Sequence, residues 1–210
     1  MTDARQPRCG VLLAGGAGAR FGGAAKGLMR LGDGRVADGP LRVLSVLCDE
    51  VLIAANDADA ERWFPGHRVV RDLSPGHGAL GALVTALHAA SGRNVLTCAW
   101  DMPFVTEGLL AQLIAIVEDA RACCVPVHAD GRMEPLCAAY AFQCATVASE
   151  ILARGERAAH IFADACNGFH WPIDLSMSPA DAERTFFNVN TPDDLRRAES
   201  WLLPPPIRST

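Results

Sequence analysis

Residues 10–31 open with a short apolar run, Val11 to Ala14, that empties into a loop holding Gly15, Gly16, Gly18, Gly22 and Gly23 before it reaches Lys26. The run reads as a buried strand and the glycines as its exit. Glycine tolerates positive φ and carries no side chain, so successive backbone N–H groups can close on an anion. Arg20 and Lys26 add mobile positive charge. Lys26 is the single lysine among 19 basic residues. A compact, hydrated ammonium on a flexible stem suits a phosphate where a planar guanidinium fork would be stiffer. The loop is expected to cradle a triphosphate. It is not a Walker A loop, because Gly27 follows Lys26 where a hydroxyl should hold magnesium, and Phe21 stands where Gly-x-Gly-x-x-Gly needs its third glycine.

The rest of the chain alternates short apolar runs with helical periods. Strands are predicted at Val51–Ala55, Arg68–Arg71 and Asn94–Cys98, with helices opening at Pro40, covering Leu80 to Leu87, and starting from an N-cap at Thr106. Such alternation implies βαβ units. Further strands are expected at Cys123–Val127, Leu136–Phe142 and Phe186–Asn190. Helices are expected from Cys144 to Leu152, over Arg157–Ala165, and over 192–202 behind the capping sequence Thr191-Pro192-Asp193-Asp194. The expected fold is a single-domain α/β three-layer sandwich with a mostly parallel, Rossmann-like sheet. It spans residues 9–203, with an N-terminal arm at 1–8 and a C-terminal tail at 204–210.

Composition limits the partners. The 210 residues carry a net charge of −5 and are half hydrophobic, with no basic stripe or polybasic run, which argues against nucleic acid or a membrane surface. An anionic substrate must then be met by a local positive site or a metal. The first residues lack the apolar core of a signal peptide, and no run approaches about 18 apolar residues. The expectation is a soluble, cytoplasmic protein, monomeric or weakly homo-oligomeric. None of the eight cysteines forms a Cys-x-x-Cys pair, and several lie in apolar runs, so they read as buried free thiols. Of the six histidines, His77 stands out between two glycines.

Ligands of open α/β sheets bind beyond the carboxyl ends of the strands. The residues there are the 15–26 loop, Asn56, Asp72 and Asp101. Asp101, in a turn closed by Met102-Pro103, can hold Mg²⁺, with Asp72 as a second carboxylate, because magnesium takes one or two carboxylates plus phosphate oxygens and water. Each aspartate could instead cap its turn. A cradle, a lysine and a metal carboxylate are what phosphoryl or nucleotidyl transfer needs.

The residues Leu13-Ala14-Gly15-Gly16 through Lys26-Gly27-Leu28 resemble the signature loop of the nucleotidyltransferases that include molybdenum cofactor guanylyltransferase. Trp100-Asp101-Met102-Pro103, Arg132-Met133-Glu134-Pro135-Leu136 and Asn188-Val189-Asn190-Thr191-Pro192 resemble that family's later motifs, in its order. The resemblance implies Mg²⁺-dependent transfer of GMP from GTP to the terminal phosphate of molybdopterin cofactor, with pyrophosphate released. It implies that Leu13, Ala14, Gly15 and Lys26 hold the nucleotide, that Asp72 contacts it, that Asp101 binds nucleotide and metal, and that Glu134, Pro135, Asn188 and Asn190 lie on the pterin side; Gly16 in the glycine loop and Asn56 beyond the second strand are expected to join the nucleotide site. Lys26, Asp101 and Arg20 are the expected catalytic groups. Three positions depart from the family pattern: Ala25 replaces an acid, Ala54 an asparagine, and Ala79 and Ala82 interrupt Gly-Pro-Leu-x-Gly. The alternatives are CTP as donor, another phosphorylated acceptor such as a sugar phosphate, or nucleotide binding without catalysis.

Overall fold

The computed structural model describes residues 6–15, 25–73 and 76–203. Residues 1–5 of the arm, most of the glycine loop with Gly16 and Arg20, and the tail at 204–210 lie outside the described residues. In chain order, β1 (Arg8–Leu13) is followed by a hairpin of β2 (Arg30–Leu31) and β3 (Gly34–Arg35), α1 (Asp38–Leu47), β4 (Glu50–Ala54), α2 (Ala60–Trp63), β5 (Arg68–Val70) and α3 (Gly78–Ala89). Then come β6 (Asn94–Ala99), α4 (Glu107–Glu118), β7 (Cys123–Val127), β8 (Ala138–Tyr140), α5 (Cys144–Ala153) and α6 (Ala159–Ala165). The chain closes with β9 (Phe169–Pro172), α7 (Ile173–Ser176), α8 (Pro179–Thr185) and α9 (Pro192–Leu202).

Seven strands form one sheet in the order β5-β4-β1-β6-β8-β7-β9. β8 pairs antiparallel with both neighbours, and the other pairings are parallel. The central strands β1, β4 and β6 read as nearly continuous apolar runs because both faces are covered. Side chains alternate between faces: Leu12, Ile53 and Leu96 pack under α1 and α4, while Val11, Leu13, Leu52 and Val95 pack under α3, α5 and α6. These are the three expected layers. The N-cap at Thr106 accepts from Leu109 N at 3.2 Å and the one at Thr191 from Asp194 N at 3.1 Å.

Two local expectations differ from the structure. Residues 187–190 form no strand: they run from the end of α8 to α9, anchored by buried Val189, whose N–H donates to Asp101 O at 2.9 Å. The edge strand is instead β9, parallel to β7. The ladder of β8 is shorter than 136–142 because Cys137 N donates to Glu134 O at 3.0 Å, closing a turn just before it. All eight cysteines are free. No helix among the described residues is long and apolar enough to cross a membrane.

Candidate active site

Register brings the site residues to one level. Leu13 pairs with Ala54 and with Ala99, and Ala54 pairs with Val70. Gly15, Asn56, Asp101 and Asp72 therefore each lie two residues past that shared level, at the carboxyl edge of four adjacent parallel strands. That edge opens into a cavity of about 580 Å³ lined by all four, with Leu13, Lys26, Glu134, Pro135 and Asn188.

Lys26 sits in a 3₁₀ turn, Lys26–Leu28, that leaves the glycine loop. Its Nζ contacts Asp101 Oδ2 and donates to Asn190 Oδ1 at 2.7 Å. Asp101 is only 6% exposed. A carboxylate removed from water this far needs a cation or several donors, and Lys26 provides the charge. Two of the three ammonium donors are thereby used, which leaves one for a ligand. Asn190 is aimed by its own backbone, because Asp194 in the first turn of α9 accepts from Asn190 N at 3.0 Å.

Gly27, next to Lys26, lies against the ring of Trp100, next to Asp101. A Cβ at position 27 would stand 2.3 Å from Trp100 Cε3. This seat of the Gly27 backbone on the indole sets the neighbouring side chains of 26 and 101 against each other. At the outer strands, Asn56 and Asp72 bind reciprocally: Asn56 Nδ2 donates to Asp72 Oδ2 at 2.8 Å and Asp72 N donates to Asn56 Oδ1 at 2.8 Å. On the opposite wall Tyr140 OH donates to Pro135 O at 2.7 Å, and Asn188 Nδ2 donates to Phe186 O at 3.0 Å.

The structure thus gathers Leu13, Gly15, Lys26, Asn56, Asp72, Asp101, Glu134, Pro135 and Asn188 around one cavity, while Asn190 meets it through Lys26. Ala14 is buried behind this edge and donates its N–H to Ala54 O at 2.9 Å. Gly16 and Arg20 lie outside the described residues. Met133, inside the motif Arg132–Leu136, also lines the cavity, as does His160, which no local pattern in the sequence marks; α6 carries His160 there by packing on α3 and α5. His77 lines a separate groove with Leu73 and His88.

No group of three His, Cys, Asp or Glu among the described residues could hold a metal alone. A single buried carboxylate at the mouth of a cavity with room for a triphosphate fits an ion that shares its coordination with phosphate oxygens.

An open, mostly parallel α/β sheet that sets Gly15, a lysine and an aspartate around one strand-end cavity defines a nucleotidyltransferase. Residues 10–165 match the family model of the MobA-like NTP transferase domain, and the chain belongs to that family. It is 33% identical over 204 residues to a probable molybdenum cofactor guanylyltransferase of Chloroflexus aggregans, with 92% of this chain and 94% of that protein covered. It is 34% identical over 196 residues to a molybdenum cofactor guanylyltransferase of Cereibacter sphaeroides, covering 92% and 96%. Among solved structures, molybdopterin-guanine dinucleotide biosynthesis protein A from Archaeoglobus fulgidus superposes with a TM-score of 0.77 at 28% identity, covering 93% of this chain and 98% of that one.

Proposed function

We propose that this chain transfers GMP from GTP to the terminal phosphate of molybdopterin cofactor. An acceptor phosphate oxygen attacks the α-phosphorus, the bond to the β-phosphate breaks, and pyrophosphate leaves. The observation that carries this reading is the Lys26–Asp101 pair inside a cavity that runs from Gly15 to Glu134 and Asn188. The names of the relatives supply the substrates.

In this reading Leu13 and Gly15 face the triphosphate, with Ala14 tied to β4 behind them, and the Asn56–Asp72 pair faces the nucleoside. Lys26 gives its remaining N–H to a phosphate oxygen as negative charge builds on it, while Asp101 and Asn190 keep the ammonium in place. Asp101 would hold Mg²⁺, which when bound supplies Lewis-acid charge stabilisation at the phosphate oxygens. Glu134, Pro135 and Asn188 face the acceptor. The free thiols suit a reducing compartment such as the cytoplasm.

The test is acceptor-dependent pyrophosphate release with each of the four NTPs, molybdopterin and Mg²⁺. Release with GTP, abolished by Asp101→Asn, is expected. Turnover with CTP and none with GTP overturns the choice of donor. Nucleotide binding without release from any NTP overturns catalysis itself.

A further inference from the structure

His128, Arg132 and Glu134 come from one turn between β7 and β8, yet they face different spaces. Glu134 lines the main cavity. His128 and Arg132 line a neighbouring groove of about 420 Å³, across from Asp174 and Glu183. The turn closes on itself, with His128 N donating to Arg132 O and Gly131 N to His128 O, both at 2.9 Å. Arg132 Nη1 donates to Glu134 Oε1 at 2.6 Å, and His128 Nε2 lies 2.8 Å from the same oxygen. Arg132 Nη2 reaches His128 Nε2 at 2.8 Å, so the guanidinium fork spans the other two side chains. Glu134 Oε2 has no partner among the described residues. His128 also packs edge-on against Phe186, centroids 5.6 Å apart, and Phe186 O accepts the Asn188 amide.

We propose that His128 and Arg132 are positioning residues that fix Glu134 so that its second oxygen receives N–H donors from the heterocycle of the acceptor. This rests on the reading that the acceptor is a phosphorylated pterin. A carboxylate on the acceptor wall repels the acceptor's phosphate, so the portion it meets is the one that carries donors. A 2-amino-4-oxo ring presents an amino group beside a ring N–H, two donors that a carboxylate matches. Holding Glu134 from behind means that its rotamer freedom is already lost before the acceptor arrives. His128 and Arg132 act through it from the neighbouring groove.

The experiment is calorimetric titration of the molybdenum-free pterin phosphate, and separately of GTP with Mg²⁺, into the full chain and into Arg132→Ala, His128→Ala and His128→Gln. Arg132 is 59% exposed, so its truncation leaves the core closed. We expect Arg132→Ala and His128→Ala to weaken the pterin at least tenfold while GTP stays within twofold. His128→Gln, whose side-chain oxygen can still accept from Arg132, should recover most of the loss. The inference is overturned if pterin and GTP affinities fall together, if neither changes, or if the unaltered chain binds GTP but no pterin. Failure of the proposed function looks different: the unaltered chain binds both ligands, yet releases no pyrophosphate.

Discussion

Asn190 accepts a hydrogen bond from the Lys26 ammonium at 2.7 Å, so the segment before the last helix holds the cation that the glycine turn delivers. The contact ties the two ends of the domain to one charge. Replacing Asn190 with alanine leaves Lys26 with Asp101 alone and frees its stem to sample other rotamers. A hydrogen bond to a charged group is worth about 1.5–3 kcal/mol. The expected outcome for Asn190→Ala is roughly a tenfold loss in kcat, about 1.4 kcal/mol in the barrier, with little change in the affinity for GTP. Steady-state kinetics beside a melting curve measures it, and an unchanged kcat would remove Asn190 from the machinery.

Lys26→Arg keeps the charge and changes its shape. Asp101 Oδ2 and Asn190 Oδ1 converge on a single nitrogen. A guanidinium spreads its donors over a rigid plane and cannot point three of them from one atom. Transfer should fall at least tenfold, about 1.4 kcal/mol. Full activity in Lys26→Arg would show that the site needs only a positive charge.

Much of this site could be read from the sequence because apolar runs mark where strands end, and Gly15, Asn56, Asp72 and Asp101 follow those ends directly. Four adjacent parallel strands then place them at one level without further information. What was not legible depends on tertiary partners. The direction of β8 is not encoded in the pattern Ala138-Ala139-Tyr140, which suits either orientation. Phe169-His170-Trp171-Pro172 alternates over only three residues and ends on proline, too short a signal for a strand, so β9 shows only through its pairing with β7. Phe186-Phe187-Asn188-Val189-Asn190 looks like a strand, but its apolar members are used in packing and its asparagines in the site. His160 and the Lys26–Asn190 contact arise from chain folding alone.

Gly27→Ala tests how closely the turn must approach Trp100. The added methyl would lie 2.3 Å from Trp100 Cε3 and 2.4 Å from Cδ2. The indole has little room to retreat, since it is buried and stacks on Trp63 with centroids 5.8 Å apart. Overpacking of this kind costs about 1–3 kcal/mol, and the strain falls on the peptide that carries Lys26. Both the urea midpoint and kcat should drop. Unchanged values for the two would mean that the turn and the indole can separate without consequence.

The buried thiols set an alkaline limit on stability. Burial pushes Cys9 up from 9.0 to about 11, and Cys124 up to about 12. Both side chains are fully buried. Between pH 9 and pH 11 the unfolded chain has lost the Cys9 proton while the folded chain keeps it, so the folded state binds more protons. Stability then falls as pH rises, at about 1.4 kcal/mol per pH unit for each such group. The contribution is fully present below pH 9 and is lost as pH rises toward 11. Cys9→Ala removes one titrating group at the cost of a small void under β1. Its urea midpoints should be lower than those of the unaltered chain at pH 8 and decline less steeply from pH 9 to 11. Parallel declines in the two proteins would show that the Cys9 thiol ionises as readily in the folded chain as in the unfolded one.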